Sequence, residues 1–210
     1  MALTSTDLAE LLGTALAVLA VPGPSVLFVV ARGVAGGRPA ALLAVVAVGL
    51  GLLVQVIAVA VGLGSLLTRS DLALTLVRAG GAVALIVLGI RAYRGRHDLA
   101  AEAAASAPGT RPARVLRDGV TVGVLNPKRL LLLVALLPQF VTTGGPPAPV
   151  QLLLLGGLVV GAGLVCDTVW GLAAGTARGW LKGRRAVLER FGAVAAAVMV
   201  ALGLRLALTL

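Results

Sequence analysis

Aromatic residues make up 3% of this 210-residue chain and charged residues 12%, and there is one cysteine and one histidine. Each scarcity excludes something. The charged share is about half the roughly 25% of an ordinary soluble domain. A lone Cys166 rules out an internal disulfide and any CxxC redox pair. The single histidine, His97, sits in a hydrophilic connection, so no Ser-His-Asp arrangement is available, and no His/Cys/Asp/Glu cluster has metal-ligand spacing. No cofactor and no enzymatic chemistry are expected. Eight acidic residues face 18 basic ones, a net charge of +10. The basic residues form no stripe interleaved with aromatics, which argues against nucleic acid as a partner.

What remains is apolar. The hydrophobic share of 59% and a mean hydropathy of +1.06 exceed the roughly 45–50% apolar share of soluble proteins. A soluble core cannot hide that much apolar surface, so the bilayer must be the solvent. Met1–Glu10 carries Asp7 and Glu10 but no Lys or Arg, unlike a cleavable signal, so the first apolar stretch is expected to be retained.

The pattern predicts an all-α, polytopic membrane protein with six transmembrane helices, at about 7–35, 39–67, 72–92, 117–141, 149–175 and 187–209. The one long hydrophilic connection, about 93–117, divides a single domain into a first three-helix half (1–92) and a second (118–210). Three spans per half make the halves run in opposite directions, so inverted repeats are expected. Thirteen of the 18 basic residues fall in connections one–two, three–four and five–six, and only Arg69, Arg78 and Arg205 on the other side. That bias places the rich connections in the cytoplasm and both termini outside a cytoplasmic membrane.

Two proline-based interruptions carry the functional signal. Pro22-Gly23-Pro24 should split span one into two half-helices, because Pro lacks an N–H and Gly adopts backbone angles others avoid. Carbonyls freed near Ala20–Val21 could hold a cation or an ammonium, and the half-helix starting at Ser25 would aim its positive end at a carboxylate. A helix bent there and repaired by its neighbours is the plain structural reading. Asn126-Pro127-Lys128-Arg129 cuts span four, since Leu130–Leu137 is too short to cross alone. Lys128 and Arg129 then lie at depth, where a charge costs on the order of 3 kcal/mol unless it faces water or snorkels. A span starting at Leu130, with the basic pair only flanking it, is the rival.

Asp167 is the one acid inside an apolar span. Unpaired it would be protonated, the property a proton-coupling group needs. Its natural partners are Lys128, Arg129 or Arg32, and a static ion pair is the alternative role. Gln55 in span two either binds substrate or hydrogen-bonds across helices. Small residues recur at Gly33/Gly37, Gly49/Gly51, Gly157/Gly161 and Gly171/Gly175, read as close helix packing that would also suit a homodimer.

Taken together, Pro22-Gly23-Pro24, Gly33–Arg38 (GVAGGR), Gly81–Gly89, Gly119–Lys128 and Leu137–Phe140 (LPQF) resemble the lysine-exporter (LysE/RhtB) family of small bacterial amino-acid exporters. The likeness covers most of the chain. Where that family often has a tyrosine before the glycine closing span three, this chain has Ala84. The resemblance implies export of an amino acid or small derivative, driven by a proton or sodium gradient. The expected substrate site is Pro22, Gly23, Pro24, Ser25, Gln55, Asn126, Pro127 and Lys128, with Asp167 as the proton-coupling group. An exporter of a metal or other inorganic ion, for which only Asp167 and Cys166 offer ligands within the spans, and a non-transporting membrane assembly subunit are the other readings.

Overall fold

The computed structural model describes residues 4–63, 71–95, 111–142, 145–182 and 184–208. These are helical throughout, with no strand among them. Helix α1 (Ser5–Ala20) starts on a reciprocal cap. The Thr4 hydroxyl accepts from the Asp7 amide at 3.2 Å and the Asp7 carboxylate accepts from the Thr4 amide at 2.8 Å. It stops because Val21 precedes a proline, which pushes it to an extended conformation (φ −64°, ψ 127°).

Helix α2 (Pro24–Ala58) opens on Pro24 at its first position, where the missing N–H is no loss. It continues as a π turn over Val59–Leu63. Inside it, Gly37 has φ 78° and ψ −168°, so two helical legs meet there rather than run straight. Gly permits that left-handed turn and Pro39 restarts the second leg just beyond it. The expected boundary between 35 and 39 is thus a sharp kink, not a loop.

Helix α3 (Asp71–Arg94) is followed by α4 (Pro112–Val124), which begins a few residues before the expected start of span four. Most of the hydrophilic connection, with His97, lies outside the described residues. After a turn at Leu125–Asn126 come α5 (Pro127–Leu136) and a 3₁₀ turn (Leu137–Phe140). Helices α6 (Ala148–Thr176), the short α7 (Arg178–Lys182) and α8 (Arg185–Ala207) complete the chain.

Among the described residues three helical stretches, Pro24–Gly62, Ala148–Thr176 and Ala186–Arg205, are long and apolar enough to cross a membrane. Counting α4 with α5, bent by 46° at their break, makes up to four. Lipid-type exposure fits this reading, since Leu50, Val61, Leu154, Val165 and Val194 lie on the outside.

Glycine contacts set the helix spacing. A Cβ on Gly51 would fall 2.6 Å from the Gly123 Cα and from the Val120 carbonyl, so α2 and α4 touch backbone to backbone. Gly33 faces the Gly171 carbonyl and the Gly175 amide, and Gly175 in turn meets the backbone of Gly37–Arg38, which seats the kink of α2 on α6. Arg38 fastens the same corner by donating to the Thr176 hydroxyl at 3.1 Å. Helices α3 and α8 meet reciprocally, Gly89 at the Ala196 carbonyl and Gly203 at the Ala82 carbonyl. The Gly157/Gly161 expectation is corrected: nothing lies within 4 Å of either, and both are on the outer face of α6. In a helix apolar on every side, spacing alone does not say which way a small stripe points.

Candidate functional site

The two helix breaks lie against each other in the interior. At the first, α1 ends with carbonyls that no further turn can claim. The Val21 carbonyl accepts from the Lys128 ammonium at 2.5 Å, and the Ala20 carbonyl accepts from the Trp170 indole N–H at 3.2 Å. Lys128 is only 8% exposed, and its stem runs beside Gly23, where an added Cβ would be 3.4 Å from Lys128 Cδ. A cation at the negative end of α1 is electrostatically sound. On the other side of the break Gly23 has no side chain to cap α2, whose amino end starts at Pro24 and buried Ser25.

The second break is built around Asn126. Its Oδ1 accepts from the Lys128 and Arg129 amides, capping α5, while its Nδ2 donates to Ser25 Oγ at 2.6 Å. Gln55 crosses from α2 and donates to the Val124 and Asn126 carbonyls at 2.8 and 3.0 Å, the loose end of α4. Asn126-Pro127 therefore breaks the helix without orphaning it, as backbone at membrane depth requires.

Beyond the junction, Arg129 and Asp167 form an ion pair at 2.6 Å, with Arg129 3% and Asp167 0% exposed. Of the three partners considered for Asp167, the structure selects Arg129. Lys128 is engaged with Val21, and Arg32 instead lies 3.8 Å from Asp118 and stacks over Phe28. The pairing is single-atom on each side. Arg129 Nη1, Asp167 Oδ1 and also Gln55 Oε1 are buried and have no hydrogen-bond partner among the described residues.

Ser25, Gln55, Asn126 and Lys128 thus meet around one junction, to which Pro22, Gly23, Pro24 and Pro127 contribute the backbone breaks. Asp167 is one residue further out, joined through Arg129, the neighbour of Lys128. Two contributors were not among the expected site residues. Trp170 lies three positions after Asp167, hence on the same face of α6, and that spacing was the available signal. Arg129 was placed at depth beside Lys128 and named as one of three candidate partners of Asp167. Among the described residues no group of three His, Cys, Asp or Glu side chains could hold a metal ion.

A buried polar junction inside a bundle of apolar helices defines an integral membrane protein whose polar interior is organised around broken helices. Comparison with known proteins gives the family. The model for LysE type translocators matches residues 16–210, and the chain belongs to that family. It is 31% identical over 178 residues to a homoserine/homoserine lactone efflux protein of Salmonella typhimurium, covering 82% of this chain and 84% of that one. The protein of the same description in Salmonella typhi is 30% identical over 178 residues, with the same shares covered. An uncharacterized membrane protein of Vibrio cholerae is 35% identical over 135 residues, 64% of each chain. No solved structure matches.

Proposed function

We propose that this chain is a secondary exporter that moves an amino acid or small amino-acid derivative out across the cytoplasmic membrane, driven by a proton or sodium gradient. The observation that carries this is the clasp of the two breaks, Lys128 on the Val21 carbonyl and Asn126 on Ser25. A zwitterion can enter such a clasp by offering its ammonium to the carbonyl and its carboxylate to the cation. Substrate lies between the breaks, its carboxylate toward Lys128 and the start of α2, its ammonium toward the loose carbonyls or Asp167. Proton exchange at Asp167 couples the gradient to alternating access. The efflux proteins related to this chain act on compounds of that chemistry by their names.

The architecture belonging to this reading has six crossings in two inverted halves. At about 1.5 Å per residue, the 39 residues of Pro24–Gly62 reach roughly 58 Å, nearly twice the ~30 Å of a bilayer core. The kink at Gly37 lets the first leg finish the crossing begun by α1 and the second leg make its own. Three pairings support a two-fold axis in the membrane plane. The broken helices meet each other, the second leg of α2 meets α6, and α3 meets α8. In this reading both termini are outside, and the outward Gly157/Gly161 stripe suits a second copy of the chain.

The experiment is counterflow in proteoliposomes, with radiolabelled amino acids and derivatives presented as a panel. Exchange of at least one amino compound above protein-free vesicles is the expected result, and a flat panel rejects the reading. Among the described residues no grouping of ligands favours the inorganic-ion alternative.

A further inference from the structure

We propose that the Arg129–Asp167 pair, not the Lys128 clasp, is the head-group reader of this protein. Arg129 takes the substrate's carboxylate and Asp167 its ammonium. The inference rests on the exporter reading and moves the carboxylate contact one residue along α5.

The reasoning starts from what is already used. Lys128 has the Val21 carbonyl, Ser25 Oγ has Asn126 Nδ2, and the Asn126 amide is committed on both sides. A ligand seeking those atoms must first break a bond that holds the breaks together. Arg129 and Asp167 differ. They share one nitrogen and one oxygen at 2.6 Å, leaving a second guanidinium nitrogen and a second carboxylate oxygen buried and unpartnered. A guanidinium ordinarily meets a carboxylate with two parallel bonds. Buried polar atoms are satisfied in the great majority of cases, and leaving charged groups short is costly. One open donor beside one open acceptor, both carrying charge, is the complement of an α-amino acid, whose carboxylate and ammonium sit on one carbon. Gln55 Oε1 adds a second open acceptor at the junction, suited to a further ammonium proton or a substrate hydroxyl.

The ammonium and the coupling proton then compete for one oxygen of Asp167. A proton on that oxygen removes its charge and releases the amine, so export and proton entry exclude each other at a single atom. The site also ranks ligands: a zwitterion uses both halves, a lactone only the Asp167 half, a hydroxy acid only the Arg129 half.

The test uses the full-length protein in proteoliposomes with three probes: homoserine, homoserine lactone and 2,4-dihydroxybutyrate. Each is measured as competitor and as counterflow substrate. The unaltered protein should prefer homoserine to either of the others by about tenfold or more, the scale of one charge-assisted hydrogen bond. Arg129→Lys keeps a cation beside Asp167 but lacks the second nitrogen. It should lose that preference over the lactone, read as the ratio of the two competitor affinities, with monodisperse elution in detergent reporting separately that the variant is folded. Asp167→Asn should weaken homoserine and lactone together and spare 2,4-dihydroxybutyrate as a competitor. Equal losses for all three probes in both variants would show a structural ion pair and overturn the inference, leaving the exporter intact. No exchange of any amino compound by the unaltered protein removes the exporter reading as well.

Discussion

The ammonium of Lys128, one residue past the proline of the second break, is hydrogen-bonded to the carbonyl of Val21, one residue before the proline of the first. Two interruptions 107 positions apart in sequence therefore share one bond. The second break supplies both donors, the Lys128 ammonium for the loose Val21 carbonyl and the Asn126 amide for the buried Ser25 hydroxyl. The consequences can be tested one at a time.

Replacing Lys128 by Met keeps the apolar stem against Gly23 and removes the cation. The end of α1 then loses a favourable charge of about 0.3–1 kcal/mol, and up to ~2 kcal/mol where partly buried. We expect a lowered melting temperature in detergent and at least about a tenfold fall in transport, since the register of the breaks loosens. Transport at the original rate would mean that the clasp is incidental.

Asp167→Asn should abolish gradient-driven efflux from loaded vesicles while the protein still inserts and purifies as a monodisperse species. Efflux that responds to the proton gradient as before would remove Asp167 from the coupling step. Asp167→Ala is the poorer variant, because Arg129 would lose its hydrogen-bond acceptor as well as its counter-charge, whereas Asn keeps an oxygen that can accept.

Gly123→Val tests the contact of α2 with α4. A Cβ there would lie 2.5 Å from the Val48 carbonyl, and that atom is backbone, so the helices must part. Overpacking of this kind costs about 1–3 kcal/mol, read as a fall in thermal stability. Gly157→Ala has open space around it and serves as the control, with no loss expected.

Gly37→Ala addresses the kink. At φ 78° a side chain costs roughly 1–2 kcal/mol. We expect reduced stability and reduced export together, because the kink seats on Gly175 and Arg38 bonds Thr176 at the same corner. A stable, fully active Gly37→Ala protein would show that the two legs of α2 need no fixed angle.

Orientation has its own measurement. In a Cys166→Ala background, Ala113→Cys places a thiol on the exposed first turn of α4, in the basic connection expected to be cytoplasmic. A membrane-impermeant maleimide should label it in inside-out vesicles and not in intact cells. Labelling from the outside would invert the topology.

The breaks were legible because proline acts locally. Pro22, Pro24 and Pro127 end and begin helices whatever surrounds them, and the structure has α1 stop at Ala20 and α5 start at Pro127. The boundary between 35 and 39 was legible for the same reason, but that it is a kink at Gly37 within one helix, and not a loop, was not. Which of two neighbouring cations reaches Asp167 was not. Lys128 and Arg129 lie about 100° apart around α5, and the choice depends on where α6 packs. The helix faces were equally hidden, since a span apolar all round carries no polar side to mark its outside. Hence Gly171 and Gly175 matched expectation while Gly157 and Gly161 did not.

The glycine seam between α3 and α8 has a separate consequence. All the buried polar side chains among the described residues (Ser25, Gln55, Asn126, Lys128, Arg129, Gln151 and Asp167) belong to α2, α5, α6 or the turn before α5. None of these belongs to the seam, where Gly89 and Gly203 bring the two backbones together. The described polar groups that could tell one cargo from another are thus concentrated in α2, α5 and α6. A chimaera that borrows α3 and α8 from a relative with different cargo should therefore keep the preferences of this chain, whereas exchanging α5 and α6 should carry the preference across.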